Sequence, residues 1–287
     1  MKAIFKREFK SYFHNMTGPV FMAAIFVFMG IYFVAYNISQ GYPYFAAALS
    51  SMSFILLIAV PILTMRSFAE ERKTKTDQML LTAPVTITQI VMGKYLSMLA
   101  IFGIVMGVSC AAPIIIHCYG GGALAADYAA IFAYFFLGAA YIAIGMFMSS
   151  ITENQIIAAI GTFGILLILQ LIEGIASLLS TSAAASYIAF IIVIALIALL
   201  IYALLKNAVI AGGLGIIAEI VLTVIFIVKK TSFESLFPNF LKAFSLVSRF
   251  DNVVNQTLDI STYVFYITIA GVFCFLTGQM IQKRRWS

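Results

Sequence analysis

The chain has 287 residues, of which 63% are apolar and 10% charged, with 17 Lys and Arg against 11 Asp and Glu. A soluble domain carries roughly 25% charged residues, and the mean hydropathy here is +1.07. That composition excludes a soluble enzyme or a nucleic-acid-binding domain and leaves an all-α integral membrane protein.

In chain order, the first element is a basic amphipathic helix. Ile4, Phe5, Phe9, Tyr12 and Phe13 fall on one side of a helical wheel, and Lys2, Lys6, Arg7, Glu8 and Lys10 occupy most of the rest. The pattern predicts a helix lying in the membrane interface over residues 1–17, aromatics down and lysines up. It is not the short basic stretch, apolar core and small-residue site of a cleavable signal peptide.

Eight runs are then long enough to cross a bilayer, which takes about 20 apolar residues. They are 18–38, 45–65, 95–117, 128–149, 155–178, 187–205, 208–228 and 263–281. Only Lys206 and Asn207 join the sixth and seventh. That pair is also compatible with a hairpin that stops short of crossing, which gives six spans plus an extra hairpin and leaves the later parity unchanged. With both termini in the cytoplasm, 13 of the 17 basic residues are inside and only Lys229, Lys230, Lys242 and Arg249 are outside, as the positive-inside rule demands. The whole of 1–287 reads as one transmembrane domain, with a cytoplasmic loop at 66–94. Residues 229–262 form an outer amphipathic segment in which Phe233, Leu236, Phe237, Phe240, Leu241 and Phe244 recur at helical spacing.

The cytoplasmic loop carries most of the information. It begins with a charged helical end, Glu70, Glu71, Arg72 and Lys73. A second short helix follows through Thr76, Asp77, Gln78, Met79, Leu80 and Leu81, with Asp77 in its first turn, and stops before Pro84. A third helix, capped by Thr86 or Thr88, leads into Tyr95. Leucines exposed on a cytoplasmic loop need a covering surface: a partner protein, the bilayer or the N-terminal helix.

These residues resemble the loop of type-2 ABC exporter permeases. The matching positions are Glu70-Glu71-Arg72, Leu80-Leu81, Pro84, Ile90 and Gly93-Lys94; one departure is Lys75-Thr76-Asp77-Gln78, where the family often has a Gly-Thr-x-Glu-like start. The N-terminal Phe5 to Phe13 helix, Ser248-Arg249-Phe250-Asp251-Asn252 and the closing Lys283-Arg284-Arg285-Trp286 are similar to the branch of gliding-motility and nitrous-oxide-reductase accessory permeases. The resemblance implies a permease of the cytoplasmic membrane that works as a dimer with a second permease copy or homologue. Each permease would pair with a separate ABC ATPase subunit that holds ATP and Mg. It makes the short helix from Thr76 to Leu81 the coupling helix that docks on the ATPase, with Thr152, Glu153 and Asn154 as a second, smaller contact. ATP hydrolysis on the partner would then drive export; membrane lipids are the other expected partner.

No ATPase is built into the chain. Gly93-Lys94 is followed by Tyr95, and Thr88 stands where a phosphate-binding loop has its earlier Gly. No catalytic constellation occurs: His14 and His117 sit on opposite sides of the membrane, and no metal site is expected. The cysteines, Cys110, Cys118 and Cys274, have no paired metal-ligand or disulfide spacing and read as small packing residues. Two acids fall within spans, Glu219 near the middle of its run and Glu173 toward the outer end. A charge there costs roughly 3 kcal/mol on insertion scales, which makes an intramembrane acid a candidate polar site; a hydrogen-bonded structural acid fits as well. Gly103, Gly107 and Ala111 recur every four residues, the spacing of a close helix contact. Without the resemblance, the spans suit a secondary transporter or channel independent of ATP, for which Glu219 beside Gly212, Gly213 and Gly215 is the one midplane feature. A non-transporting membrane subunit of an ATPase-linked assembly is a third reading.

Overall fold

The computed structural model describes residues 1–76, 85–205, 208–228, 233–255 and 259–286. Five of the six residues of the expected coupling helix, Asp77 to Leu81, lie outside these, as do the 206–207 turn and Lys229-Lys230. Every regular element among the described residues is a helix, with no strand. Among the described residues, six helices are long and apolar enough to cross a membrane, and shorter apolar helices occur between the fifth and the last.

The N-terminal helix α1 spans Lys2–His14. The first crossing is α2, Thr17–Tyr32, continued by a π-helical stretch Phe33–Ser39. The second is α3, Phe45–Thr64, followed by the short α4, Ala69–Lys73. The third begins well inside the cytoplasmic loop as α5, Ile87–Ser109, and resumes as α6, Ala111–Cys118. Pro113 explains the break, because its ring clashes with the carbonyl four residues earlier, that of Ser109. The fourth crossing is α7, Leu124–Ile151, and the fifth is α8, Gln155–Leu178. The apolar pair α9, Ala183–Leu205, and α10, Ala208–Val228, follows. Two short amphipathic helices come next, α11 at Leu236–Ala243 and α12 at Leu246–Val254. The last crossing is α13, Ile260–Trp286.

The chain divides into two compact units, residues 1–168 with 246–287, and residues 169–245. In the first, α7 is the central staff. It packs against α3, α5, α12 and α13, and Tyr134, Leu137 and Tyr141 along it are fully buried. Phe102 of α5 stacks on Phe135 at 6.0 Å and tilts against Tyr134 at 6.3 Å. The outer end is tied by polar contacts. Asp127, 2% exposed in the first turn of α7, accepts the N–H of Ala46 at 3.1 Å. It thereby satisfies one of the amides that the start of α3 leaves without an intrahelical partner.

The outer segment expected as one amphipathic stretch is two helices, one in each unit. In α12, Leu246, Phe250 and Val253 are buried at i, i+4 and i+7. Phe250 meets the Tyr134 ring at 5.5 Å, Asp251 accepts from the Ser50 hydroxyl at 2.7 Å, and Arg249 lies 3.9 Å from the centre of the Phe265 ring. The Ser248-to-Asn252 signature is therefore a helix that fastens the outer ends of α3, α7 and α13.

In the second unit, α9 packs on α10 and α11. Tyr187 stacks on Phe226 at 4.4 Å, and Phe190 meets Phe237 and Phe240 edge-on at 5.2 and 5.6 Å. The phenylalanines of 233–244 thus fill a local aromatic cluster.

Candidate functional site: the braced base of the cytoplasmic loop

The helix α1 does more than float at the interface. Its stripe of Ile4, Glu8 and Tyr12 is buried, spaced every four residues so that all three share one face, and that helix packs on α5 and α2. Phe5, Phe9 and Phe13 form the neighbouring stripe, Phe5 stacked on Phe9 at 5.8 Å and Phe9 tilted against Phe13 at 5.1 Å. Glu8, expected on the polar face, is instead turned inward.

What Glu8 meets is Lys94. This side chain is 2% exposed, and an ammonium has three protons to place. All three are used: Glu8 Oε2 at 3.2 Å, Glu71 Oε1 at 2.9 Å and the Ser67 carbonyl at 2.7 Å. The Phe68 ring lies 5.1 Å away, within cation–π range. Arg7 closes the ring of charges, pairing with Glu8 and with Glu71 at 3.0 Å. Two cations thus face two carboxylates and the cluster is neutral. Partial burial pulls the Arg7 guanidinium down, but its bond to and charge on Glu8, and then Glu71, outweigh that and raise it. Burial pushes the Tyr12 phenol well up, so it stays a neutral hydroxyl at physiological pH.

Gly93, one residue before Lys94, is what lets α1 come this close. A Cβ there would stand 2.9 Å from Ile4 Cγ2 and 3.1 Å from Ile4 Cβ. Gly93-Lys94 is therefore one device: the glycine admits the helix and the lysine binds it.

Of the other charges expected to brace the loop, Glu70 is paired within its own segment. Glu70 accepts from Arg66 one turn earlier, at 2.8 Å from Nε. Arg72 is buried, and Lys73 is exposed. Thr76 is exposed at the end of a closing turn, with its N–H on the Glu71 carbonyl at 2.9 Å. On the far side of residues 77–84, Thr86 caps α5 reciprocally: its hydroxyl accepts from the Gln89 N–H and its own N–H donates to the Gln89 side chain. Of the two threonines the sequence offered, Thr86 is the cap because Gln89 stands three residues on.

Ser149, near the cytoplasmic end of α7, joins the loop to the fourth span. Its Oγ accepts the N–H groups of Phe68 and Ala69, both at 3.1 Å, and donates to the Met65 carbonyl at 3.0 Å. Three residues beyond it is the second expected contact. Thr152 accepts from the Asn154 N–H at 3.1 Å, and Asn154 Oδ1 accepts from the Ile156 N–H at 2.9 Å, starting α8. Ser149 thus anchors the base of the loop three residues from the 152–154 turn, in which Glu153 and Asn154 are exposed.

The intramembrane acids are elsewhere. Glu173 on α8 and Glu219 on α10 belong to the second unit and are half-buried. Thr223 donates to the Glu219 carbonyl at 2.7 Å and shares a hydrogen bond with Tyr187 at 2.9 Å. No hydrogen bond or ion pair joins the two carboxylates among the described residues. No group of His, Cys, Asp and Glu able to hold a metal occurs among the described residues.

Sequence reasoning missed the roles of Glu8, Ser149 and Asp127. Glu8 had a signal, as the only acid on an otherwise basic helix. Ser149 had none, since a serine at the end of an apolar run is common.

Six membrane-length helices among the described residues and a cytoplasmic loop fixed at its base by buried charges define a multi-pass α-helical membrane protein. A family model described as ABC-2 family transporter protein matches residues 10–163, more than half of the chain and all of its first four spans. The chain belongs to the ABC-2 transporter family: it is a membrane-spanning permease subunit of an ABC transporter, a multi-pass protein of the plasma membrane. No curated protein matches it.

Proposed function

We propose that the chain is the permease of an ATP-driven exporter and that residues Thr76 to Leu81 are the helix by which a separate ATPase subunit moves it. The observation that carries this reading is the anchoring on either side of residues 77–84. Before the segment, α4 is held to α1 and α5 through Lys94 and to α7 through Ser149. After it, α5 starts at a reciprocal cap. A push on the segment between them reaches α1 and the second, third and fourth spans at once.

In this reading the chain supplies no ATP chemistry; ATP and Mg belong to the partner. Two permeases, identical or homologous, pair with two ATPase subunits, and Thr152, Glu153 and Asn154 make the lesser contact. Tilting of the spans on ATP-driven closure expels the cargo outward. The Ser248-to-Asn252 helix and the N-terminal aromatic stripe favour the gliding-motility and nitrous-oxide-reductase accessory branch. Glu219 and Glu173 are a candidate intramembrane polar site in the second unit.

Mild-detergent purification of the full chain tests this. A soluble ATPase is expected to co-purify with the native chain and to be lost from Leu80→Asp/Leu81→Asp, which puts two charges on an apolar docking ridge. ATP-independent transport by a chain that never carries an ATPase would contradict it.

A further inference from the structure

Along α13, from near its cytoplasmic end to beyond its middle, runs a groove that the helix packing leaves open. Two connected cavities form it, about 320 Å³ and about 240 Å³, sharing Met92, Gly271 and Cys274. The walls are α5, α7 and α13, all in the first unit.

Three properties of the groove agree. Its length along α13, from Gln282 to Ile267, is fifteen residues, or about 22 Å at 1.5 Å per residue. That equals half of a bilayer about 40–45 Å thick with its headgroups, one leaflet. Its polarity is graded: Thr88, Gln279 and Gln282 stand at the cytoplasmic end, while the deeper cavity is lined by Leu99, Phe135, Phe136 and Ala270. Its floor is made of glycines that helix packing does not require. A Cβ on Gly271 would meet no atom within 4 Å, and one on Gly278 only Ile87 Cγ2 at 4.0 Å. Glycine inside a helix costs about 1 kcal/mol relative to alanine, so what these two provide is room. Phe275, 64% exposed, stands at the lip, so the groove opens sideways.

We infer that this groove is a binding site for one inner-leaflet phospholipid, its acyl chain lying against Gly271 and Cys274 and its phosphate accepting hydrogen bonds from Thr88, Gln279 and Gln282. A phospholipid matches the gradient, the length and the lateral opening together.

The test is native mass spectrometry of the full chain, extracted in mild detergent and washed with phospholipid-free detergent. Wild type should retain one phospholipid per chain. Gly271→Leu/Gly278→Leu fills the groove and should lower that retention by about tenfold or more. Gly30→Leu, on the first span where a Cβ also meets nothing, is the control for a glycine replaced on a lipid-facing helix and should retain the lipid. Circular-dichroism melting shows that both variants fold. Equal retention by wild type and the groove variant overturns the proposal, and so does a wild-type chain that holds a second copy of itself with no phospholipid.

Discussion

Lys94→Met is expected to lower the stability of the chain by about 3–5 kcal/mol, the cost of removing one partner of a buried ion pair. The figure applies because Lys94 is nearly solvent-free and spends all three of its protons inside the protein. Methionine fills the volume of the aliphatic stem but leaves Glu8 and Glu71 facing each other with only Arg7 between them. The cluster passes from neutral to a net charge of minus one in a place with little water. Urea unfolding of the full chain in detergent micelles measures the loss. The sharper check is a second change. Lys94→Met/Glu71→Gln restores neutrality, with Arg7 still paired to Glu8, and is expected to be more stable than Lys94→Met alone. Residues in one ion-pair network are non-additive in this sense. A double variant no better than the single would mean that Lys94 acts through packing and not charge.

Gly93→Val is expected to separate α1 from the bundle while leaving every charge in place. Even a single Cβ at this position crowds Ile4, which is itself buried, and valine adds two methyl groups on top of it. Overpacking of a tight contact costs about 1–3 kcal/mol. Here it has a second consequence, since Glu8 rides on α1 four residues from Ile4 and is carried away from Lys94. The expected result is a modest fall in stability with a disproportionate fall in transport, because the loop loses one of its anchors. Gly93→Ala should lie between. Limited proteolysis near Asn15 reports whether α1 has come off; a Gly93→Val chain as protected as wild type would contradict this arrangement.

The spans were legible because hydropathy and length are decisive in a bilayer. Their interruptions were less so. The run 95–117 reads as one helix by hydropathy, and only the reach of Pro113 back to Ser109 divides it. The π-helical end of the first span has no sequence signal that we can name. The helix Leu246–Val254 was hidden because Ser248, Arg249, Asp251 and Asn252 make it look like an exposed loop. Its three buried residues are legible only once a bundle is there to receive them. The site divides the same way. Glu70, Glu71 and Arg72 stood out as charges beside a membrane span, and Gly93-Lys94 stood out through the family resemblance. Their connection did not, since Glu8 is far from Glu71 and Lys94 in the chain and only the docking of α1 brings it within 3.2 Å of Lys94. The 152–154 turn was legible as a turn. Asn154 as a helix cap is enough to explain its own presence there.

The central claim is that force enters this permease through residues 76–81. A photo-reactive benzoylphenylalanine placed at Leu80 in the full chain, irradiated in native membranes, tests it most directly. The predicted result is an adduct between this chain and an ATPase subunit, abolished by Asp at Leu81 and absent when the probe is placed at lipid-facing Ile58. Adducts with lipid alone at position 80, with the ATPase captured from another part of the chain, would contradict it.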